Sequence, residues 1–339
     1  MNLKRKLCAA AVGAAAVLAG APAAAHAAVS VSVTNDAGSY AALTPGAPLA
    51  IHNMSPQVLV HVDETAANGL FSVVYTDQNG STAATAADCY LAGSDATRYV
   101  DYHGNMTYNV TVTTFAPKDY DCAKPVATAT YQYSVGATVA IAPPAGPLME
   151  RTPTGQLITQ ALGFQGAPGA GLYEIKYALG GVVQPDGSLG GPVQDGYVDS
   201  TTGAVQMLAT KPGTYVVVAR AKSGAYYTPW SAPVTVRIMA PFAFFSSFPD
   251  ARGPRYTIRG KLNEGSARGK RVTLAAAKGK HGKHFRTIGH GKINKHGVFT
   301  IHVRIHRRGY YRFRYTFKGS KTVAKGKVVE LVRIRRILG

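Results

Sequence analysis

Phe299-Thr300-Ile301-His302-Val303-Arg304-Ile305-His306 alternates apolar and polar residues without a break, and so does Tyr311-Arg312-Phe313-Arg314-Tyr315-Thr316-Phe317-Lys318. Successive side chains of an extended chain point to opposite faces, so a period of two marks a half-buried β-strand. Ile301, Val303 and Ile305 then go to a core with Tyr311, Phe313, Tyr315 and Phe317, and the cations between them line up outside. The short turn Arg307-Arg308-Gly309 predicts that the two strands are neighbours. Toward the end of the chain Arg333 and Arg335 share one parity while Val332 and Ile334 take the other, and Tyr256-Thr257-Ile258-Arg259-Gly260-Lys261-Leu262 is a further strand.

The same pattern fills the rest of the chain. Runs such as Val29-Ser30-Val31-Ser32-Val33-Thr34, Gln57-Val58-Leu59-Val60-His61-Val62 and Tyr108-Asn109-Val110-Thr111-Val112-Thr113 are separated by Gly, Pro, Asn and Asp clusters. Helical periodicity is almost absent. Many short strands with regular turn signals predict an all-β chain of tandem β-sandwiches. Pro143-Pro144-Ala145-Gly146-Pro147 and the segment from Pro241 to Pro254 read as linkers. They divide the chain into sandwiches at 28–143, 144–238 and 239–339, after a leader at 1–27. Phe242, Phe244, Phe245 and Phe248 of the second linker read as packing between domains.

In the second unit, Leu208-Ala209-Thr210-Lys211-Pro212-Gly213-Thr214-Tyr215-Val216-Val217-Val218-Ala219-Arg220-Ala221 resembles the E–F corner and F strand of a fibronectin type III domain. Trp230-Ser231-Ala232-Pro233-Val234-Thr235-Val236 is similar to its closing strand, and Tyr173-Glu174-Ile175-Lys176-Tyr177 to its C strand. The resemblance implies that Tyr215, just past a Pro-Gly bend, bonds back across the corner. The tryptophan usual on the family's B strand is missing, because Trp230 is the only Trp in the chain. The third unit, with Gly297-Val298-Phe299-Thr300-Ile301 leading into Gly309-Tyr310-Tyr311-Arg312-Phe313-Arg314-Tyr315, resembles the immunoglobulin-like repeats of bacterial surface proteins. Such domains are mostly spacers or binding scaffolds, so neither resemblance carries a catalytic residue.

The first 27 residues have the parts of a cleaved export signal: Lys4, Arg5 and Lys6, an apolar stretch from Ala9 to Leu18, and Ala25-His26-Ala27 before the cut. Gly13, Gly20 and Pro22 interrupt the apolar run short of the roughly 20 residues that span a bilayer. No later segment is long and apolar enough to span. An exported chain with two remaining cysteines, Cys89 and Cys122, is expected to bridge them. The sequence thus predicts a secreted protein, extracellular or loosely held at the cell envelope.

Charge is distributed very unevenly. From Met239 to Gly339 there are 25 Lys/Arg against three Asp/Glu, and before that 12 against 14. A surface serving solubility alone mixes signs, whereas a one-sign face points to an anionic partner. The anion-binding residues predicted from strand parity are Arg259, Lys261, Arg304, Arg312, Arg314, Lys318, Arg333 and Arg335. The expected partner is an anionic cell-envelope polymer or an acidic polysaccharide. Nucleic acid is less favoured, because the aromatics of the 311–317 strand share the inward parity and cannot serve as stacking platforms.

Two other functions compete. A carbohydrate-binding or adhesive module would use Tyr226, Tyr227 and Trp230. A secreted nucleic-acid binder would use phosphate contacts alone. A metal site at His281, His284, His290 and His296 is disfavoured, since no acid or thiol accompanies them and adjacent lysines repel a cation. No nucleophile elbow, zinc-protease motif, phosphate loop or dinucleotide fingerprint occurs. Asp63-Glu64 and Asp119-Tyr120-Asp121 are carboxylate pairs on turn-rich segments. The reading is therefore of a non-enzymatic protein with no cofactor.

Overall fold

The computed structural model describes residues 29–63, 69–116, 119–147, 150–151, 157–199, 203–209, 211–252, 255–263 and 265–335. The export signal read at 1–27 lies outside the described residues, as does Glu64. Among the described residues all regular structure is strand, and no helix is long and apolar enough to cross a membrane. The all-β, tandem-sandwich expectation holds.

In the first unit Val29–Thr34 lies between Tyr40–Ala42 and Gln57–Val62, and Gln57–Val62 also pairs with Asp95–Tyr99. A second sheet runs Leu49–Ile51, Pro125–Val135, Thr107–Phe115, Leu70–Asp77, Thr82–Leu91. The alternating side chains meet in between: Val31, Val33, Val58 and Val60 join Phe71, Val73, Tyr75, Val110 and Tyr133, all buried. Cys89, on Thr82–Leu91, is disulfide-bonded to Cys122, in the turn before Pro125–Val135. The turn after Leu70–Asp77 is held by Asp77. Its Oδ1 accepts the amides of Asn79 and Ser81 at 2.8 and 3.0 Å, and its Oδ2 lies 3.0 Å from His103 Nδ1.

Beside a small hairpin of Val182–Val183 and Leu189–Gly190, the second unit is a sheet that doubles back on itself. Gln194–Asp199 pairs with Leu172–Leu179 through residues 194–196 and with Ala204–Ala209 through residues 197–199, so it passes from one layer to the other. Gly213–Ser223 pairs with Leu172–Leu179 and with Val234–Ile238. Tyr215 donates its hydroxyl to the Lys211 carbonyl at 2.7 Å, the corner that the fibronectin resemblance implied. Ala140–Ile141 already pairs with Leu157–Gln165 of this unit, ahead of the boundary read at Pro143. The first two units are also joined by the Met54 amide on the Pro168 carbonyl and by the stacking of His103 on Tyr226 at 4.9 Å. Their buried apolar residues form one cluster running from Val31 to Ile238.

The third unit has its own cluster and two sheets. One runs Phe244–Arg252, Arg255–Leu262, Val298–Arg304, and the other runs Arg286–Lys292, Arg271–Lys278, Gly309–Phe317, Gly326–Ile334. Two readings of the sequence need correction here. The strands 298–304 and 309–317 are not neighbours: the chain arches between sheets, with Ile305 buried at the crossing. Inward parity is the same whether a connection closes a hairpin or an arch, so alternation cannot tell them apart. Nor is 241–254 a linker. Phe244–Arg252 is an edge strand, where Pro249 is tolerated. Phe242 and Phe244 pack on Phe317, Phe299 and Tyr315 inside the third core, while Phe245 is exposed. The Phe299 ring lies against Gly260, where a Cβ would come within 2.1 Å of it.

Separate clusters predict separate melting. Closing the chain between Cys89 and Cys122 contributes on the order of 3–4 kcal/mol. Reduction should therefore lower the calorimetric transition of residues 29–238 and leave that of the third unit in place; a uniform shift of both would contradict the division.

The hydrogen bond from His103 is the chief cause holding the Asp77 carboxyl below its ordinary range, with the two turn amides adding to it and burial opposing. A carboxylate depressed in the native state adds stability above its unfolded pKa of about 3.9, and that stability is lost as pH falls through the lower native value. Asp77→Asn should cost the first unit about 2 kcal/mol at neutral pH. It should also flatten the loss of stability below about pH 4, read from urea midpoints.

Candidate anion-binding surface

The third unit places its predicted cations in four locations rather than on one face. On the outer side of the three-stranded sheet, Arg255, Arg259 and Lys261 alternate with buried Tyr256, Ile258 and Leu262. Arg304 and His302 do the same between Val303 and Ile301. Arg255 stands directly across from Arg304 in the register. Like charges opposed in this way cost some tenths of a kcal/mol. Among the described residues no cation of this unit makes an ion pair; the ion pairs all lie in the first two units.

Arg312 and Arg314 occupy the outer side of the opposite sheet, so they cannot act together with Arg304 on one flat ligand. They are also only half exposed. The Arg314 guanidinium lies 4.3 Å from the centre of the Phe285 ring and that of Arg312 lies 5.6 Å from it. Arg312 Nη1 also donates to the Gly282 carbonyl at 3.2 Å. These two arginines therefore pin the 279–285 loop to the sheet. The parity reading gave their side of the strand correctly but could not show Phe285 folding over them.

Arg333 and Arg335 end the last strand. Arg333 lies 5.3 Å from the Tyr310 ring, which Lys280 approaches on its own at 4.7 Å. With Arg308 they line an open depression of about 680 Å³. Burial raises the Tyr311 and Tyr256 phenols above their ordinary range, with Arg307 and Arg308 pulling in the other direction. They stay neutral, so the charge of this end comes from its arginines.

Lys318 lies apart from all of these, in a cleft of about 970 Å³ where the second and third units meet. Five further cations line the same cleft: Arg237, Arg268, Lys270, Lys321 and Lys325. Sequence reasoning missed them because Arg268, Lys270, Lys321 and Lys325 sit outside the strands and Arg237 belongs to the last strand of the second unit. The signal available was the spacing Lys318-Gly319-Ser320-Lys321-Thr322-Val323-Ala324-Lys325, three lysines in one turn.

The aromatic residues considered for carbohydrate binding are already engaged. The Arg220 guanidinium lies 3.8 Å from the Tyr227 ring centre and 4.3 Å from that of Trp230, and it donates to Glu174 at 2.7 Å. Tyr226 stacks on His103. His281 and His284 lie in the loop joining Arg271–Lys278 to Arg286–Lys292. Among the described residues no three His, Cys, Asp or Glu come together to hold a metal ion.

No family model and no curated protein matches the chain. Among solved structures it is similar to domains A168–A170 of titin, at 12% identity over 91% of this chain and 100% of that one, with a TM-score of 0.26. It is also similar to the FN1–FN3 domains of chicken CNTN1, at 9% identity over 84% of this chain and 98% of that one, with a TM-score of 0.22. At TM-scores this low neither likeness adds to the strand pairings described above.

If Phe285 serves to hold Arg312 and Arg314, Phe285→Ala should cost the third unit about 1 kcal/mol, through the lost cation–π contacts. The midpoint of its urea transition should fall, and polyanion binding at low salt should not weaken. An unchanged midpoint would show that the loop is not held there.

Proposed function

We propose that this chain is a non-enzymatic, exported binding protein whose third sandwich holds it to an anionic polymer by charge. The observation that carries this reading is the state of the cations. Arg255, Arg259, Lys261 and Arg304 stand on the outer face of the three-stranded sheet, two of them opposite one another, and none has an acid partner among the described residues. Such a face lowers the stability of the free protein and is relieved by a polyanion, which makes charge neutralisation the driving force of binding. An acidic polysaccharide or another anionic envelope polymer is the partner this reading favours for an exported chain. Base stacking on nucleic acid has little support, because Phe285 and Tyr310 both carry cations and exposed Phe245, across from Lys261, is one ring where successive bases need several.

Polyanion binding by residues 28–339 should fall by orders of magnitude between roughly 50 and 200 mM salt, since each charge contact releases about one counterion. Arg259→Glu, Lys261→Glu and Arg304→Glu together should weaken binding of a long polyanion by at least about tenfold and leave the fold intact, because these side chains are exposed. Surface plasmon resonance over a salt series checks both, with duplex DNA as competitor. Binding that ignores salt, or a long-polymer affinity that the triple reversal leaves undiminished, would falsify the electrostatic reading.

A further inference from the structure

We propose that the cleft between the second and third sandwiches is a formed site for one segment of an acidic polysaccharide. This inference rests on the polyanion reading above and gives it a definite location.

The cleft is built from two turns of the third unit and the end of the second. Ser320 Oγ and Thr322 Oγ1 both donate to the Ser266 carbonyl at 2.9 Å, and the Ser266 amide donates back to Thr322 Oγ1 at 2.8 Å. These bonds tie the 265–270 and 318–325 turns together. Gly319, at φ +98°, supplies a left-handed residue that the second turn needs. From the second unit, Arg237 donates through Nε to the Lys321 carbonyl and through Nη2 to the Ser320 carbonyl, each at 2.9 Å. The connecting chain is also held, because the Ala240 amide donates to Thr322 and its carbonyl accepts from the Ala324 amide. The walls are therefore fixed before any ligand arrives, which lowers the ordering cost of binding.

The chemistry of the lining selects the ligand. Arg268 and Lys270 come from one turn and Lys318, Lys321 and Lys325 from the other, all five exposed, and no acid lines the cleft among the described residues. So many cations in one lining call for a ligand with several negative charges rather than one anionic head. The rest of the lining is different: Pro147, Met239, Ala267 and Ala324 are apolar. A polyanion without an apolar face, such as inorganic polyphosphate, would set charge against those residues, which is unfavourable. An acidic polysaccharide can lay the C–H faces of its rings on them and turn its carboxylates to the lysines. A pocket with an apolar lining and a few placed charges is the usual form of a specific site.

The test uses isothermal titration of residues 28–339 with an oligogalacturonate of defined length and with inorganic polyphosphate of equal charge. The wild type should bind the oligogalacturonate at one site per chain, and more tightly than the polyphosphate. Changing Lys318, Lys321 and Lys325 together to Gln should weaken it by at least about tenfold, three lost ionic contacts having that effect at low salt. Changing Arg259, Lys261 and Arg304 to Gln should leave the oligogalacturonate affinity unchanged while weakening the long polymer. If the cleft variant binds the oligosaccharide like the wild type, the cleft is not the site, even where salt-sensitive polymer binding persists. Equal affinity for polyphosphate would overturn the choice of polysaccharide. A wild type that binds neither probe would remove the polyanion reading along with this one.

Discussion

A chain in which every second residue points the opposite way can keep a dense positive charge and an apolar core in the same strand, and the third sandwich depends on that separation. Phe313, Tyr315 and Phe317 are buried beside Arg314 and Thr316, and Ile301 and Val303 beside His302 and Arg304. Burying a side chain of this size contributes about 1.5–3 kcal/mol. A pair of like charges facing across strands opposes that by only some tenths of a kcal/mol. The core therefore wins at each strand, and the repulsion stays on the surface as a standing destabilisation. The proposed anionic partner would remove it, so binding and stability would rise together.

Within that frame arginine and lysine have different uses. Arg237 places its planar fork on two carbonyls, Arg220 lies between two aromatic rings, and Arg312 and Arg314 cover Phe285. Each uses the planar, weakly hydrated guanidinium, which forks onto two acceptors or stacks on a ring more readily than an ammonium. The cleft, by contrast, presents Lys270, Lys318, Lys321 and Lys325, hydrated point charges on flexible stems. The protein's fixed internal joints are made by arginine, and the positions left open to a ligand are mostly lysine.

The strands that were legible in the sequence are those whose inward positions are filled by Val, Ile, Phe and Tyr, such as 57–62 and 309–317. Where the inward partner is small, the signal disappears. Arg286–Lys292 is announced only at its start, by Phe285-Arg286-Thr287-Ile288; beyond that it carries Gly289 and Gly291, where a Cβ would run into Ile301 or Thr300, and the apolar alternation stops. Thr82–Leu91 is similarly hidden by its Ala and Thr residues. Phe244–Arg252 was obscured by its proline, which an edge strand can hold. The corner at Tyr215 was legible because a Pro-Gly bend and a Tyr at fixed spacing leave the hydroxyl one nearby carbonyl to reach.

The candidate site was legible in charge and not in geometry, for a physical reason. Parity says whether a side chain faces in or out, but each sandwich has two outsides, and the choice between them lies in the pairing partner. Arg304 and Arg314 have the same parity relative to the core, yet Arg304 pairs across to Arg255 and Arg314 to Ala275, in sheets on opposite sides of it. The cleft lies further from sequence still, since its cations come from two turns and a strand end brought together by hydrogen bonds. Arg237 of the second unit is held by two backbone carbonyls of the third, beside the bonds of Ala240 to Thr322 and Ala324. Those bonds couple the attitude of the front sandwiches to the 318–325 turn, so a polymer seated in the proposed site would be gripped by a junction and not by a free-swinging domain.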